Sequence, residues 1–135
     1  MKTVRLLNHT QGRVLCARCE IADNPATRIK GLLGRALLPD GAGLLITPCP
    51  SVHMIGMKFA IDVLFLTREN RVTDWVEHLP AGFRWHVAKP RADANGTRFG
   101  KPFAALELPA GAIARSGIQI GDAIIIETLQ PESHE

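Results

Sequence analysis

The chain lacks a long apolar segment, and this absence limits the classes of protein to which it can belong. No stretch approaches the roughly 18 to 20 apolar residues that a membrane-spanning helix needs. Charges and amides are spread through the first 25 residues, without the apolar run of about 7 residues that a secretory signal peptide requires. We therefore expect a cytoplasmic protein with no membrane span.

Cysteine is scarce, and several catalytic signatures are missing. The three cysteines, an odd number, favour free thiols in a reducing compartment over a disulfide framework. The sequence contains no phosphate-binding glycine loop, no serine nucleophile elbow and no metalloprotease histidine pair. No cofactor is predicted.

The composition is that of a folded protein. The chain has 135 residues, of which 46% are hydrophobic and 21% charged, with a net charge of +3. A chain of this length can bury a core without disulfides or metals. We expect residues 1–130 to form a single β-rich domain and residues 131–135 an acidic, disordered tail.

Turn and capping residues divide the first third of the chain. A Gln11-Gly12 dipeptide between two apolar-rich runs predicts a β-hairpin. Asn24 followed by Pro25 predicts the start of a short helix, which we expect to end near Gly34. Its apolar stripe would comprise Ile29, Leu32 and Leu33. A Pro-Asp-Gly turn at residues 39–41 then precedes a brief strand.

The remainder reads as further strands with one more short helix. The run "KFAIDVLFLTRENRVTDWVEHL" predicts a long hairpin around "RENR", and Pro80 to Pro102 a long loop carrying one short strand, "FRWHVA". Pro109 is placed in the first turn of the second helix, and Gly117 at its left-handed C-terminal cap. Since no βαβ alternation supports a parallel sheet, we predict a mainly β fold: a small antiparallel β-sandwich or partly closed barrel with two short helices.

The "CARC" motif could supply half of a zinc site. Cys16 and Cys19, together with Cys49 and His53, are four residues of the types that bind tetrahedral zinc. Side chains alternate along a strand, however, so an unbroken strand would direct Cys16 and Cys19 to opposite faces. We therefore expect these thiols to pack as small apolar groups and favour no metal site.

The stretch "CPSVHMIGMK" brings soft and nucleophilic residues together. Cys49 and His53 suggest a nucleophile and its base, although an extended chain would hold them ~13 Å apart at about 3.3 Å per residue. Cys49 and His53 with Met54 and Met57 would also suit copper(I). The alternative is a purely structural role, in which both methionines fill the core.

Two carboxylates lie in apolar strands and need partners if they are buried. The alternation from Met57 onward predicts a core strand in which Asp62 is flanked by apolar residues. We expect Asp62 either to form a structural ion pair, with Lys58 or Arg28 as the partner, or to cap a turn, with a catalytic role as the alternative. Glu107 lies opposite in phase to Leu106 and Leu108 and could pair with Arg28 or Lys58, or face water.

Basic residues and tryptophans mark two further surfaces. Five positive residues face a single acid, Asp93, in one loop: Arg84, Lys89, Arg91, Arg98 and Lys101. This basic loop could meet an acidic protein or ligand, or only water, and we do not expect nucleic-acid binding. Trp75 and Trp85 could stack on a ligand or pack in the interior.

Five motifs in a fixed order carry a family resemblance over nearly the whole chain: "GLLGR", "GLLITPCPSVHMIGMKFAIDVLFL", "RVTDWVEHL", "LELPAG" and "GIQIGD". With them the chain resembles domain of unknown function 192, also called uncharacterised protein family 0127. The resemblance implies a compact β-rich fold with two short helices, and it implies no catalytic residues. "CARC" is outside the shared pattern, and many relatives carry Pro where this chain has Ala60. The family-like positions are Arg28, Gly31, Gly34, Arg35, His53, Met57, Lys58, Asp62, Glu107, Pro109, Gly111, Gly121 and Asp122.

The leading functional hypothesis is a small binding or accessory domain without catalysis. Its candidate surface consists of His53, Met57, Lys58 and Asp62, with Arg28 and Glu107 as neighbours. The alternative is a metal-dependent or thiol-dependent enzyme that uses His53 with Cys49 or Asp62. A third hypothesis is a structural module that makes contacts through a sheet edge.

Overall fold

The computed structural model describes residues 1–129, so the acidic tail expected at residues 131–135 lies outside the described residues. These residues form mainly strands, together with two short helices. In chain order the elements are β1 (Lys2–Asn8), β2 (Arg13–Ala22), α1 (Pro25–Lys30), β3 (Ala42–Ile46), β4 (Ser51–His53), β5 (Ile61–Leu66), β6 (Val72–Leu79), β7 (Trp85–Val87), β8 (Ala104–Pro109), α2 (Ala112–Ser116) and β9 (Ile124–Thr128). No helix in residues 1–129 has the length and apolar character needed to cross a membrane.

One large mixed sheet organises the fold. Its seven strands follow the order β6-β5-β8-β3-β2-β1-β9, while β4 and β7 form a separate two-stranded sheet. The large sheet curls until Arg71, before β6, bridges Ala123, before β9, yet it does not close into a barrel. The mainly β fold with two short helices is thus confirmed.

The expectation of no parallel pairing is wrong for one pair of strands. β2 and β3 run parallel, from Arg18 opposite Ala42 to Ala22 opposite Ile46. Parallel neighbours require a crossover connection, and here the connection carries α1. Because α1 has only six residues, the sequence did not show the periodicity of a long crossover helix.

The two faces of the large sheet carry separate cores. Alternation along β8 sends Leu106 and Leu108 to one face and Ala105 to the other. The first face also receives Ile113 of α2. On the opposite face, β4 and the turn after α1 form a covering layer, which contributes Val52, Met54 and Leu32 to the second core. The candidate site lies in this second layer.

The first helix begins as predicted but is shorter than predicted. Asn24 caps it by accepting a hydrogen bond from the Thr27 N–H at 3.0 Å, with Pro25 in the first turn. The predicted apolar stripe and the end near Gly34 are wrong, because the helix ends at Lys30 and none of its residues is buried. Gly31 (φ +48°, ψ −130°) turns the chain, and Leu32 then enters the core.

Smaller differences concern the ends of strands. The long hairpin forms β5 and β6, but β5 begins at Ile61 rather than at Met57. Pro109 is the last residue of β8, so its predicted place in the helix is wrong, whereas Gly117 is the left-handed C-cap of α2 as expected. The short strand predicted within the long loop is β7.

A β-bulge places both cysteines of "CARC" on one face. Val4 pairs with Cys19 and Leu6 with Cys16, so one residue of β1, Arg5, opposes two of β2, Ala17 and Arg18. The extra residue reverses the alternation, and both thiols enter the first core, at 1% and 0% exposure. The prediction that they point to opposite faces is therefore wrong, whereas their packing among apolar residues is confirmed.

Candidate functional site

A pocket of about 120 Å³ lies between α1 and the small sheet, above the second face of the large sheet. It contains four of the six residues that the sequence proposed for a binding surface. These four are Arg28, His53, Met57 and Glu107, and Cys49 joins them in the lining. The residues are far apart in sequence, and the pocket exists because α1 and β4 both pack over β8 and β3.

Glu107 is the most unusual group in the pocket. It lies in the central strand β8, between Leu44 of β3 and Val63 of β5, and is only 5% exposed. Burial raises the pKa of its carboxyl from 4.5 to about 7, and no donor among residues 1–129 offsets this effect. Of the two alternatives that the sequence left open, the ion pair is not formed, since neither Arg28 nor Lys58 lies within 4.0 Å of the Glu107 carboxylate. The carboxyl can therefore accept hydrogen bonds from a donor outside the chain.

The chain turns above Glu107 at Gly31, and the space around this glycine would admit a Cβ in ordinary contact. A Cβ added at Gly31 would lie 4.0 Å from Oε1 of Glu107 and 4.0 Å from Cδ1 of Ile46. The positive φ of Gly31, however, disfavours any other residue there. Gly31 therefore lets the end of α1 form a roof directly over the carboxyl.

Arg28 brings a cation to the pocket wall. Its Nε is buried and has no hydrogen-bond acceptor within residues 1–129. A buried donor without an acceptor costs about 1–3 kcal/mol, so an acceptor supplied by a ligand would remove a penalty already present in the folded protein. Arg28 thus lacks a hydrogen-bond acceptor, whereas Glu107 lacks a hydrogen-bond donor.

Cys49 lies between these two charges but is not an activated thiol. Burial raises its pKa, and the negative charge of Glu107 opposes the effect of Arg28. Its Sγ donates a hydrogen bond to the Ser51 carbonyl at 3.0 Å. A thiol with a raised pKa is largely protonated at neutral pH and is a poor nucleophile.

The small sheet supplies the outer wall. In this antiparallel pair, Val52 lies opposite His86. The Ala88 N–H donates to the Pro50 carbonyl and the Met54 N–H to the Arg84 carbonyl, so every second residue of β4, Val52 included, is at a hydrogen-bonded position. Ser51 and His53 are at the alternate positions, so their main-chain groups point away from β7. Both residues line the pocket, which is therefore bordered by a free strand edge.

His53 shares the outer face of the small sheet with exposed apolar residues. It pairs directly with Trp85, and Ser51 pairs with Val87. Trp85 is 60% exposed and Phe83 81% exposed, whereas Trp75 is half-buried against the first core. Of the two tryptophans, Trp85 is the one available to a ligand.

Asp62 and Lys58 do not belong to the pocket. Asp62 is fully buried and accepts hydrogen bonds from the N–H groups of His78 (2.9 Å), Gly111 (3.1 Å) and Ile113 (2.9 Å). The predicted ion pair with Arg28 or Lys58 is therefore wrong, and capping of α2 is what the structure shows. Lys58 is exposed. Asp122, predicted as a turn residue, accepts from Gln119 N–H at 3.0 Å.

The structure brings together no metal site in residues 1–129. No group of three His, Cys, Asp or Glu side chains is close enough to hold an ion there. The four-ligand zinc hypothesis is wrong, because Cys16 and Cys19 lie in the first core while Cys49 packs against the second. Met54 is fully buried in the core, which leaves the copper hypothesis without one of its ligands.

The basic loop is partly tied down. Arg91 stacks on Trp75 at 4.4 Å and lies 3.7 Å from Asp74, which also accepts from the Lys89 N–H and contacts His86 Nε2 at 2.9 Å. The side chains of the remaining cations are exposed: Arg84, Lys89, Arg98 and Lys101. The loop therefore presents positive charge from an anchored backbone.

A wider depression of about 450 Å³ lies elsewhere, beside β2. Its acids are already paired: Glu20 with Arg35 at 3.1 Å, and Asp40 with Arg115 at 3.4 Å. It contains no buried charge that lacks a partner, so the smaller pocket is the better candidate.

These features define a mixed-sheet β protein with a small pocket in which a few polar groups interrupt an apolar lining. Comparison with known proteins then identifies its family. Residues 6–126 match the family model of domain of unknown function 192, described as an uncharacterized ACR family. The chain belongs to this family, as its motifs indicated.

Two relatives and one solved structure agree with this assignment. A UPF0127 protein of Thermococcus sibiricus is 31% identical over 135 residues, which cover 95% of this chain and 78% of that protein. A second, from Thermococcus gammatolerans, is 29% identical over 126 residues, covering 88% and 72%. A crystal structure of a protein of unknown function from Novosphingobium aromaticivorans matches with a TM-score of 0.71 and 27% identity, covering 91% of this chain and 83% of that one.

Proposed function

We propose that this protein is a binding domain for a small polar ligand and that the pocket between α1 and β4 is its site. The observation that carries the proposal is the Glu107 carboxyl, which is 5% exposed, borders the pocket and receives no hydrogen bond from residues 1–129. The carboxyl is enclosed except where it borders the pocket, so a hydrogen-bond donor for it must come through the pocket.

The lining of the pocket supports recognition rather than chemistry. Arg28 and the β4 edge offer donors, Glu107 offers an acceptor, and Met57 and Ile46 provide apolar walls. A few polar groups in an apolar lining are typical of ligand sites. Of the predicted surface, His53, Met57, Arg28 and Glu107 remain in the proposal, and Lys58 and Asp62 leave it.

The thiol-dependent alternative is less well supported. Cys49 has a raised pKa and its proton is directed to the Ser51 carbonyl. A nucleophilic cysteine instead has a lowered pKa and an adjacent base. Binding is therefore the function that the geometry favours.

Ligand screening by thermal shift tests this function. Wild type, Glu107→Gln and Glu77→Gln would be heated with a panel of polar metabolites that includes cationic, anionic, zwitterionic and neutral compounds. Glu77 is exposed and remote in sequence from the pocket lining, so its variant is the matched control. We expect at least one compound to raise the Tm of wild type and of Glu77→Gln, but not of Glu107→Gln. A panel without any such compound would contradict a ligand-binding role.

A secondary surface and a compartment belong to the same proposal. The anchored basic loop, with Arg84, Lys89, Arg98 and Lys101 exposed, would suit an acidic protein or ligand. Free Cys16, Cys19 and Cys49 suit a reducing cytoplasm. Replacement of Arg98 and Lys101 by Glu should abolish the binding of any partner that wild type binds in a salt-sensitive manner.

A further inference from the structure

We propose that the pocket recognises an α-ammonium group together with the carbonyl or carboxylate oxygen beside it, as found in a free amino acid or at the amino terminus of a peptide. This inference rests on the proposed binding function and names the class of ligand. It assigns the ammonium to Glu107 and the oxygen to Arg28.

We assign an ammonium group to the ligand because Glu107 lacks a hydrogen-bond donor and a counter-charge. An ionised carboxylate is an acceptor only, and this one has neither a donor nor a counter-charge within the described chain. A metal ion would need further ligands, which residues 1–129 do not gather around it. A compact organic cation with several N–H donors satisfies the carboxylate at a single position.

The oxygen follows from Arg28. Its buried Nε needs an acceptor, and the absence of an ion pair with Glu107 leaves a gap between the two side chains. A ligand that fills this gap must present a donor at one end and an acceptor at the other. In an α-amino acid unit, a single carbon separates these groups, which suits a pocket of about 120 Å³.

The free edge of β4 provides for a longer ligand. The main-chain groups of Ser51 and His53 point away from β7 and border the pocket. The Ser51 carbonyl already accepts from Cys49 Sγ, so the Ser51 N–H and the His53 N–H and carbonyl are the groups with which an extended chain could pair beyond its first residue. The outer face there is formed by exposed Trp85 and Val87. Free amino acids and peptide amino termini therefore share the same recognition chemistry, and only the second would use this edge.

Isothermal titration with four probes tests the inference: L-alanine, L-alaninamide, trialanine and N-acetyl-trialanine. Each would be titrated into wild type, Glu107→Gln, Arg28→Ala and the control Glu77→Gln. We expect at least one probe with a free ammonium to bind, N-acetyl-trialanine to bind at least tenfold more weakly than trialanine or not at all, and Glu107→Gln to weaken binding at least tenfold. Arg28→Ala should also weaken it, and this variant changes a partly buried residue of a helix that has no buried residue.

The relative affinities of the probes distinguish a free amino acid from a peptide amino terminus as the ligand. Trialanine binding more tightly than L-alanine would indicate a peptide terminus, and L-alanine binding alone would indicate a free amino acid. Binding that survives N-acetylation, binding unchanged in Glu107→Gln, or no binding of any probe would overturn the inference. If no probe binds while the metabolite panel still yields a Glu107-dependent ligand, the ligand class is wrong and the binding function stands. If both experiments are negative, both fail.

Discussion

The carboxylate of Asp62 in β5 accepts the Ile113 main-chain N–H at 2.9 Å and thereby ties the start of α2 to the centre of the sheet. Two further N–H donors, from Gly111 and His78, complete its shell. We expect Asp62→Ala to destabilise the protein by about 3 kcal/mol, because it leaves buried N–H groups without an acceptor. Urea denaturation measures this loss.

A comparison with Arg28 tests whether the two residues act independently. Asp62 makes no ion pair with Arg28 in the described structure, so Asp62→Ala and Arg28→Ala should have additive effects to within about 0.5 kcal/mol. Asp23→Asn, at an exposed position, is the control and should be nearly neutral. A coupling of more than about 1 kcal/mol, roughly twice the expected scatter, would show that the ion pair predicted from the sequence does exist.

Glu107 should make stability depend on pH. Its pKa is raised from 4.5 to about 7, so between these values the folded protein keeps a proton that the unfolded chain has lost. Stability should therefore fall as pH rises through this window, by roughly 3 kcal/mol at most, and the loss should be complete above pH ~7. Urea denaturation between pH 4 and pH 8, roughly the window set by those two values, measures the slope.

The Glu107→Gln variant isolates this contribution. Arg28, Lys30, Cys49 and His53 also border the pocket, but these groups are common to both proteins. The variant should have a flatter profile and be the more stable protein at pH 8 by a few kcal/mol, roughly the penalty that it removes. Glu77→Gln should follow the wild-type profile. Parallel curves for wild type and Glu107→Gln would show that the carboxyl titrates normally.

Gly43 is required for a steric reason alone, since its φ is not positive. An added Cβ would lie 2.8 Å from Sγ of Cys16 and 3.1 Å from the main-chain oxygen of Glu107. We expect Gly43→Ala to cost about 2–3 kcal/mol through overpacking. In a thermodynamic cycle with Cys16→Ala the double variant should be more stable than the sum of the single effects predicts, by at least about 1 kcal/mol. Strict additivity would place the strain elsewhere.

The cysteines should react slowly in the folded protein. Burial raises the pKa of Cys49, and the neighbouring Cys16 thiol together with burial raises that of Cys19. With iodoacetamide at neutral pH we expect Cys49 to be alkylated at least roughly tenfold more slowly than free cysteine, and Cys16 and Cys19 only after unfolding. Mass spectrometry locates the label, with Cys49→Ser as the control. Rapid labelling confined to Cys49 would revive the thiol-dependent enzyme.

Local signals in the sequence were reliable where short-range geometry decides the outcome. Asn24 and Pro25 located the start of α1, and Gln11-Gly12 located the first hairpin, because capping and turn residues act on adjacent backbone. The bulge in β2 left no comparable signal, since it is the pairing with β1 that inserts the extra residue and turns Cys16 and Cys19 to one face. The parallel pairing of β2 with β3 was missed for the same reason.

For the candidate site, too, local features were predictable from the sequence and long-range contacts were not. The sequence by itself marked Glu107 as a carboxylate in an apolar strand and grouped His53 with Met57, because both inferences need only alternation and proximity along the chain. Only the tertiary structure decided that Glu107 meets Arg28 and His53 at one pocket, and that Asp62 caps α2 instead. Contacts between distant segments depend on how layers pack over the sheet, and residue patterns along a single chain do not encode that packing in readable form.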